Sequence, residues 1–566
     1  MTHISWKLLL LAGLIFSACA NPIPPEGGPR DTTPPALDSL NSTRNYQTRF
    51  VKQTVVLAFD EWVELRDAFT QIVISPPLEH RPQIVRKKKT IQVSFDEREV
   101  LRDSATYVIN FGQAIRDLTE GNVAPVVFVF STGDYIDSLS VPGTIADAYT
   151  GKAEENVLFM LYENLSDSVV YKDRPFYFAR TDKEGRFNVT NVKGGAFKAF
   201  ALFDQNLNYR FDSDVEKIAF LDTILLVQGR SAAPGDSLSA GPPALPLSDS
   251  AAAVAYPGTP VLAFRLFEEE KPLFLQTKET ETYGMAKLVF SREPYDAVVH
   301  FDTIGQDVYQ EMDKDTIRLW YSAEADTTDW KVYIRRDTFV DTVLVSAGLK
   351  ASFPGTATLE LAPAAPPAAN RQAPGSPYAL TFNHPLAALD SLRIKVLEDS
   401  SRLEVKPSLY LDPVERRRLL VDYPWKEGKS YEVSIQAGAV TDIFGLVNAD
   451  SLGRSFTTSL AKDFGTLTLK VNNLDAGKAY LLRLLDKNGG LVQAFRPDGV
   501  NTFQQTLKFL IPGLYELEVI EDLDRNGRWT TGSYHLRRQP ERVQRKALEE
   551  LRANWEMESA IDAAFR

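Results

Sequence analysis

The clearest structural signal in the sequence is the segment Tyr107-Val-Ile-Asn-Phe-Gly-Gln-Ala-Ile-Arg-Asp117-Leu-Thr-Glu-Gly121. It starts as a short apolar strand and ends in a turn rich in Asp, Thr and Gly. A similar segment, Tyr431-Glu-Val-Ser-Ile-Gln-Ala-Gly-Ala-Val-Thr-Asp442-Ile-Phe-Gly445, occurs later in the chain. An aromatic strand end follows each segment, Phe130-Ser-Thr132 and Phe456-Thr-Thr458. Matching elements in the same order indicate an internal repeat.

A second pair of similar segments follows the first pair. The stretch Asp204-Gln-Asn206-Leu-Asn208-Tyr-Arg210-Phe211-Asp212 resembles Asp522-Leu-Asp524-Arg-Asn526-Gly-Arg528-Trp529-Thr530, and both follow an apolar strand. The chain therefore reads as two copies of a two-domain unit. A further β module is expected between them, at 261–350.

Apolar and polar residues alternate along much of the remaining chain. In Lys89-Thr-Ile-Gln-Val-Ser-Phe95, the residues Ile91, Val93 and Phe95 share one face. Short strands of this kind, separated by Pro, Gly, Asn and Asp, predict an all-β fold of tandem β-sandwich modules. Helical periodicity is confined to Ala547-Leu-Glu-Glu-Leu-Arg-Ala-Asn-Trp555, which predicts a short C-terminal helix in the tail 546–566.

Composition excludes several classes of protein. With 44% hydrophobic and 24% charged residues, the chain is not generally disordered. A net charge of −12 without a strongly basic stretch argues against nucleic-acid binding. The single cysteine, Cys19, excludes an intrachain disulfide and a CxxC zinc site. No HExxH, GxxxxGK[ST] or GxSxG motif occurs.

The first residues read as an export signal. Lys7 precedes the apolar run Leu8–Phe16, which is too short for a membrane span of about 20 residues. Small residues then precede Cys19, and this pattern resembles the lipobox of bacterial lipoproteins. The resemblance implies a signal peptide at 1–18, lipidation of Cys19, and attachment to a Gram-negative outer membrane at its periplasmic or outer face. A plain secretory signal with an incidental cysteine is the alternative. The Pro- and Gly-rich segment 19–35 is then a tether.

The two long repeats, 36–133 and 378–459, resemble the bacterial Ig-like domain first described in S-layer proteins. The likeness rests on the Tyr-led strands, the Asp-Gly turns and the closing Phe-x-Thr strands quoted above. Residues 139–230 resemble the transthyretin-like carboxypeptidase regulatory domain, through Gly143–Asp147 and Thr181–Phe187, and that family is a non-catalytic β-sandwich. The module 464–545 is assigned to the same type through the internal repeat. Segments 231–260 and 351–377 are rich in Ala and Pro and read as linkers or long surface loops.

The Asp/Asn loops of the second repeat are candidate Ca²⁺ sites. The pattern Asp522-x-Asp524-x-Asn526-Gly527 matches the first half of an EF-hand loop, whose alternate oxygens converge on a hard cation. Its twelfth position is Ser533 instead of the bidentate Glu. The first copy offers Asp204, Asn206, Asn208 and Asp212. Weak Ca²⁺ binding is one reading, and hairpins whose side chains cap backbone N–H groups are the other.

These features together predict a non-enzymatic, membrane-anchored scaffold or adhesion protein whose partner is an envelope protein or glycan. Beyond weak Ca²⁺, no cofactor is expected. Two alternatives stay open. One is an envelope carbohydrate hydrolase with an interdomain site, for which Asp60-Glu61 beside Trp62 supplies carboxylates and an aromatic platform. The other is a Ca²⁺-stabilised adhesin.

Overall fold

The computed structural model describes residues 31–212, 215–228, 261–279, 284–301, 308–322, 330–336, 339–345, 357–363, 371–399 and 401–565. They fall in two compact units. One lies within Met1–Ala146, Ala153–Asp212 and Ile218–Phe264, the other within Asp147–Lys152, Ser213–Lys217 and Arg265–Arg566. The predicted signal peptide 1–18, Cys19, most of the tether and the linker 231–260 lie outside the described residues. So do 351–356 and 364–370 of the second linker.

Module 1 (36–133) is a sandwich of short antiparallel strands. Its sheets have the orders β1-β5-β4, β3-β6-β8 and β2-β7. Alternation predicts its core, because Ile91 and Val93 on β5 are fully buried. The elements are β1 Val55–Ala58, β2 Val63–Leu65, α1 Ala68–Gln71, β3 Val73–Ser75, β4 Gln83–Lys87, β5 Thr90–Ser94, β6 Thr106–Asn110, β7 Ile115–Asp117 and β8 Val127–Ser131.

Module 2 (139–228 with 262–268) forms one large sheet of order β11-β10-β13-β14-β16-β9-β12, with β15 added to β13. The strand β10 is buried along its whole length. The elements are β9 Leu139–Asp147, β10 Leu158–Tyr162, α2 Val169–Lys172, β11 Tyr177–Arg180, β12 Arg186–Val192, β13 Gly195–Phe203, β14 Lys217–Phe220, β15 Leu225–Val227 and β16 Leu262–Glu268.

The predicted boundaries around β16 need correction. The sequence assigned residues 139–230 to one module and 261–350 to the next. Strand β16 instead pairs between β14 and β9, so Leu262–Glu268 completes module 2. The Ala- and Pro-rich segment before it looks like a domain boundary in composition, whereas pairing between distant strands leaves no local signal.

Module 3 (275–345) consists of two small sheets, β17-β18-β21-β20 and β19-β22-β23. Its core includes Leu288, Phe290, Ile317 and Leu319, all at most 1% exposed. The strands are β17 Leu275–Glu279, β18 Met285–Phe290, β19 Val298–Phe301, β20 Tyr309–Asp313, β21 Thr316–Trp320, β22 Trp330–Arg336 and β23 Phe339–Val345.

Module 4 (357–459) repeats the pairing of module 1. Its sheets have the orders β25-β30-β29, β24-β33-β31-β27-β28 and β26-β32. Two 3₁₀ turns, Ser391–Arg393 and Ala461–Asp463, lie in and just after it. The strands are β24 Arg371–Gln372, β25 Tyr378–Thr381, β26 Leu386–Leu389, β27 Ile394–Glu398, β28 Leu403–Val405, β29 Ser408–Leu411, β30 Arg418–Asp422, β31 Ser430–Ile435, β32 Val440–Asp442 and β33 Leu452–Thr458.

Module 5 (464–565) contains the sheets β37-β34-β40 and β36-β35-β38-β39. These orders match those of module 2, with β40 in the place of β16, although β15 has no counterpart and the two halves form separate sheets. Together with modules 1 and 4, this match confirms the predicted internal repeat. The strands are β34 Gly465–Asn472, β35 Tyr480–Asp486, β36 Leu491–Phe495, β37 Phe503–Leu510, β38 Tyr515–Glu521, β39 Val543–Ala547 and β40 Glu556–Asp562.

The prediction of a helical tail at 546–566 is wrong. Residues Glu556–Asp562 form β40, which pairs in parallel with Thr466–Asn472 of β34. Leu548 and Leu551, whose spacing suggested a helix, are buried in the core of module 5. The pairing satisfies the open edge of β34, which an isolated helix of this length does not do. The all-β prediction itself is confirmed, with only a few helical turns in the described residues.

A buried aspartate closes the same turn in modules 1 and 4. The carboxylate of Asp117 accepts hydrogen bonds from the backbone N–H groups of four residues that follow it, 119–122. Asp442 accepts from two backbone N–H groups, and its second oxygen lies 2.8 Å from His384 Nδ1. Burial alone would raise the pKa of Asp117, but the four donors outweigh it and hold the pKa at about 2.

We expect Asp117→Ala to lower the melting midpoint of module 1 by at least about 5 °C, because four buried donors lose a charged acceptor. The folded pKa of about 2 lies below the ordinary 3.8, so this stabilisation is present above pH 3.8 and disappears as the pH falls through about 2. Calorimetry between pH 2 and 7 measures both effects. The matched control is Asp134→Ala, which removes an exposed partner of Arg49 and leaves the midpoint unchanged.

Candidate functional site

The second Asp/Asn loop connects β38 to β39 and is held together by its own side chains. Asp522 accepts hydrogen bonds from the backbone N–H groups of Asn526 and Gly527, both at 2.9 Å. Asp524 Oδ2 accepts from Asn526 Nδ2 at 2.9 Å and from Thr530 Oγ1 at 2.8 Å. Gly527 has φ +75°, a conformation that glycine adopts without strain.

A third carboxylate, which the sequence analysis missed, reaches this loop from outside. Ligand atoms of Asp522, Asp524 and Glu541 lie within 4.8 Å of one another. Glu541 is 3% exposed and accepts hydrogen bonds from the backbone N–H groups of Leu523 and Thr530. Ser533, the twelfth EF-hand position, instead pairs with Arg538 in a hairpin. The three acids form the type of oxygen cluster that hard cations prefer.

Glu541 carries the electrostatic signature of this cluster. Burial raises its pKa to about 7, and the neighbouring charges of Asp524 and Asp522 add to this effect. The hydrogen bonds from Thr530 and Leu523 act in the opposite direction and lower the pKa. Burial first, and then repulsion from the two neighbouring carboxylates, therefore favours the protonated form of Glu541. A divalent cation bound among them would remove that repulsion.

The first loop is closed differently. Asn206 Nδ2 and Asn208 Nδ2 both donate to the carboxylate of Asp212, at 3.0 and 2.6 Å. Asp204 accepts from the backbone N–H groups of Asn208 and Tyr209. The four predicted site residues of this copy are therefore together, but amide groups already occupy the Asp212 oxygens. This arrangement is that of a hairpin capped by its own side chains.

The second loop lies against other residues of its own unit. The Trp529 ring packs against Tyr149, with the centroids 4.9 Å apart. The Tyr149 hydroxyl donates to Glu518, which is fully buried and pairs with Arg483 and Arg545. Gly532 lies against the Phe267 ring so closely that a Cβ atom there would be 2.5 Å from it. The conformation of this loop is thus coupled to its packing against Tyr149 and Phe267.

The carboxylates suggested for a hydrolase serve other contacts. Asp60 Oδ1 accepts a hydrogen bond from the backbone N–H group of Ala36, at 2.9 Å. The pKa of Glu61 is raised by burial and then by the charges of Asp117 and Asp60. Trp62 is about half exposed. Glu61 therefore lies next to the acid that closes the turn of module 1.

Comparison with known proteins identifies one segment of the chain. Residues 31–132 match the family described as the bacterial Ig-like domain (Big_5). No curated protein matches the chain. Within the described residues, no helix is both long and apolar enough to cross a membrane.

Solved structures of other β-modular proteins show distant likeness. Native α-2-macroglobulin from Escherichia coli (domains MG0-NIE-MG1) is 11% identical, with 34% of this chain and 91% of that one covered and a TM-score of 0.17. BcpA, the major pilin subunit of Bacillus cereus, is 10% identical, with 75% and 99% covered and a TM-score of 0.13. The surface layer protein SbsC, domains 1–6, is 10% identical, with 89% and 66% covered and a TM-score of 0.13. TM-scores this low do not establish a shared arrangement of modules.

We expect the stability of module 5 to depend on pH and Ca²⁺ together. The folded pKa of Glu541, about 7, exceeds the ordinary 4.5, so in a chelator the melting midpoint falls as the pH rises between these values. Ca²⁺ at about 1 mM restores the midpoint at pH 8 and changes it little at pH 5, since only the ionised carboxylate binds. Calorimetry with chelator or Ca²⁺ at both pH values tests this.

Asp524→Asn is expected to abolish the response to Ca²⁺, whereas Asp498→Asn, which alters an exposed partner of Arg525, preserves it. An unchanged midpoint at pH 8 with millimolar Ca²⁺ would leave the loop as a capped hairpin.

Proposed function

We propose that this chain is a non-enzymatic lipoprotein of a Gram-negative envelope. Cys19 would be lipidated and hold a row of β-sandwich modules at the outer membrane, where the modules act as a scaffold or adhesion surface for an envelope protein or glycan. Three acyl chains bury enough CH₂ groups for firm attachment, whereas one does not. Modules 2 and 5 would be accessory sandwiches of the transthyretin-like type.

The observation that carries the scaffold role is the side-chain contact between successive modules. In the second unit, Tyr309 of module 3 donates a hydrogen bond to Val414 O of module 4 at 3.0 Å. Glu311 of module 3 pairs with Arg417 of module 4, at 3.5 Å. Phe444 of module 4 packs on the core of module 3, against Gly284. Joints of this kind restrict bending, which suits a spacer that presents a surface at a fixed distance.

Ca²⁺-dependent stiffening is a second candidate function, and Glu541 favours it. This buried acid supplies, from outside the loop, the third carboxylate that the EF-hand pattern lacks at Ser533. A cation there would order a loop that packs against Tyr149 and Phe267. The carbohydrate hydrolase has no comparable support, because Asp60 and Glu61 are placed by contacts within module 1.

The anchor is tested by Cys19→Ala. We expect the variant to lose labelling by radioactive palmitate and to leave the membrane fraction after cell lysis, because no acyl acceptor remains. Ser17→Ala keeps a small residue before the cysteine and serves as the control, with labelling and membrane retention intact. Equal membrane retention of both variants would contradict the proposed anchor.

The joint is tested by Phe444→Ala. We expect the melting transitions of modules 3 and 4 to coincide in the unaltered protein. Removing this half-buried ring should cost about 1–2 kcal/mol and separate them. Leu344→Ala truncates a half-exposed side chain of module 3 and should leave the transitions together. Transitions that stay coincident in Phe444→Ala would show that the ring does not couple the modules.

A further inference from the structure

A cavity of about 240 Å³ lies between modules 1 and 2 of the first unit. The apolar part of its lining includes Ile72, Ile74 and Ile84 from module 1 and Leu207 from module 2. Phe69 and Tyr209 add aromatic rings. Its volume is below the usual range of about 300–1,000 Å³ for drug-sized ligands, so it suits a small group.

Three arginines line this cavity: Arg81 of module 1 and Arg174 and Arg180 of module 2. Each donates one hydrogen bond to a backbone carbonyl, of Phe69, Leu78 and Asn156 respectively. Within the part of the chain that the structure describes, none of the three forms an ion pair with a carboxylate at 4.0 Å or less.

The charge of the cavity is unusual for this protein. Glu79 is the one acid in its lining, against three guanidinium groups, in a chain whose net charge is −12. Nearby, Arg186 shows the ordinary alternative, with Asp182 and Glu184 both 3.1 Å away. Burial lowers the pKa of Arg81, with no carboxylate opposing the effect. An excess of guanidinium groups over carboxylates in one cavity favours an anion.

Tyr209 provides an independent reason to regard the cavity as a binding site. It has φ +65°, in the left-handed region that bulky residues avoid, and the equivalent residue of module 5 is Gly527 with φ +75°. The loop of module 2 thus has a large aromatic residue at a position where glycine suffices in module 5. The ring packs edge-on against Phe178 at 5.1 Å, with the Arg174 guanidinium 6.0 Å from its centroid. Strained residues persist where the surrounding structure uses the side chain.

We propose that this cavity binds a carboxylate carried on a small apolar or aromatic body. Guanidinium groups recognise carboxylates through paired N–H donors, and the isoleucines and aromatic rings accept the apolar part. The carboxylate belongs either to a free organic acid or to the last residue of a peptide. Because Arg81 and Arg174 come from different modules, the bound ligand links module 1 to module 2 and raises the melting midpoint of the first unit.

The test is calorimetric titration of the full chain in detergent, with N-acetylphenylalanine as the probe. The probe is expected to bind saturably and to raise the melting midpoint. Its neutral amide and inorganic phosphate are both expected to bind at least about tenfold more weakly, since one lacks the charge and the other the apolar body. A free amino acid and a short peptide ending in phenylalanine distinguish the two sources of the carboxylate.

Variants locate the site. Arg174→Gln and Tyr209→Asn should each weaken binding at least about tenfold, and Asn tolerates the left-handed conformation, so the second variant remains folded. Arg44→Gln removes the same charge from an exposed position of module 1 and should leave binding unchanged. The proposal is overturned if the probe does not bind at about 10 mM, a concentration that detects even weak fragments. It is also overturned if acid and amide bind equally, or if Arg44→Gln weakens binding as much as Arg174→Gln.

Discussion

The repeated architecture depends on one constraint: the first strand of modules 2 and 5, β9 and β34, needs a hydrogen-bonding partner on both of its edges. In module 5, β34 forms antiparallel pairs with β37 on one side, and its other edge pairs in parallel with β40 along seven residues. In module 2, β9 lies between β12 and β16 in the same way. Unpaired N–H and C=O groups on either edge would be costly if buried and prone to aggregation if exposed. In modules 2 and 5 the last strand is therefore part of the same sheet as the first.

This constraint explains which parts of the fold were predictable. Alternation in β5 and the repeated Tyr-led strands are local signals, and they led to the correct fold class and the repeat. In β40, by contrast, Ile561 is the one buried residue, while Leu548 and Leu551 just before the strand have helical spacing. These residues form a strand because they pair with the distant β34, and neither the spacing of apolar residues nor strand propensity reveals that pairing. The same holds for β16, which is separated from its sheet by an Ala- and Pro-rich segment.

The candidate sites likewise contain some residues that are close in sequence and others that only the fold brings together. Asp522, Asp524 and Asn526 are close in sequence, and their loop was recognised from spacing alone. Glu541 belongs to the same cluster but follows a hairpin, so only the fold brings it there. The first loop has nearly the same pattern, yet Asp212 replaces Thr530 and draws both asparagine amides to itself. The first loop also has Asn206 where the second has Asp524, so the two copies bring different acids together, and composition does not show this. Arg81, Arg174 and Arg180 were likewise unremarkable in the sequence, because ion pairing is visible only in three dimensions.

The pairing of β34 with β40 also sets an order of events during biosynthesis. The two strands are the first and last of module 5, so a nascent chain exposes one of them long before the other exists. Contacts this distant in sequence form slowly, and an unsatisfied strand edge can pair with another molecule in the interval. Until β40 is synthesised, β34 therefore presents an unpaired edge, and β9 of module 2 does the same until β16 follows.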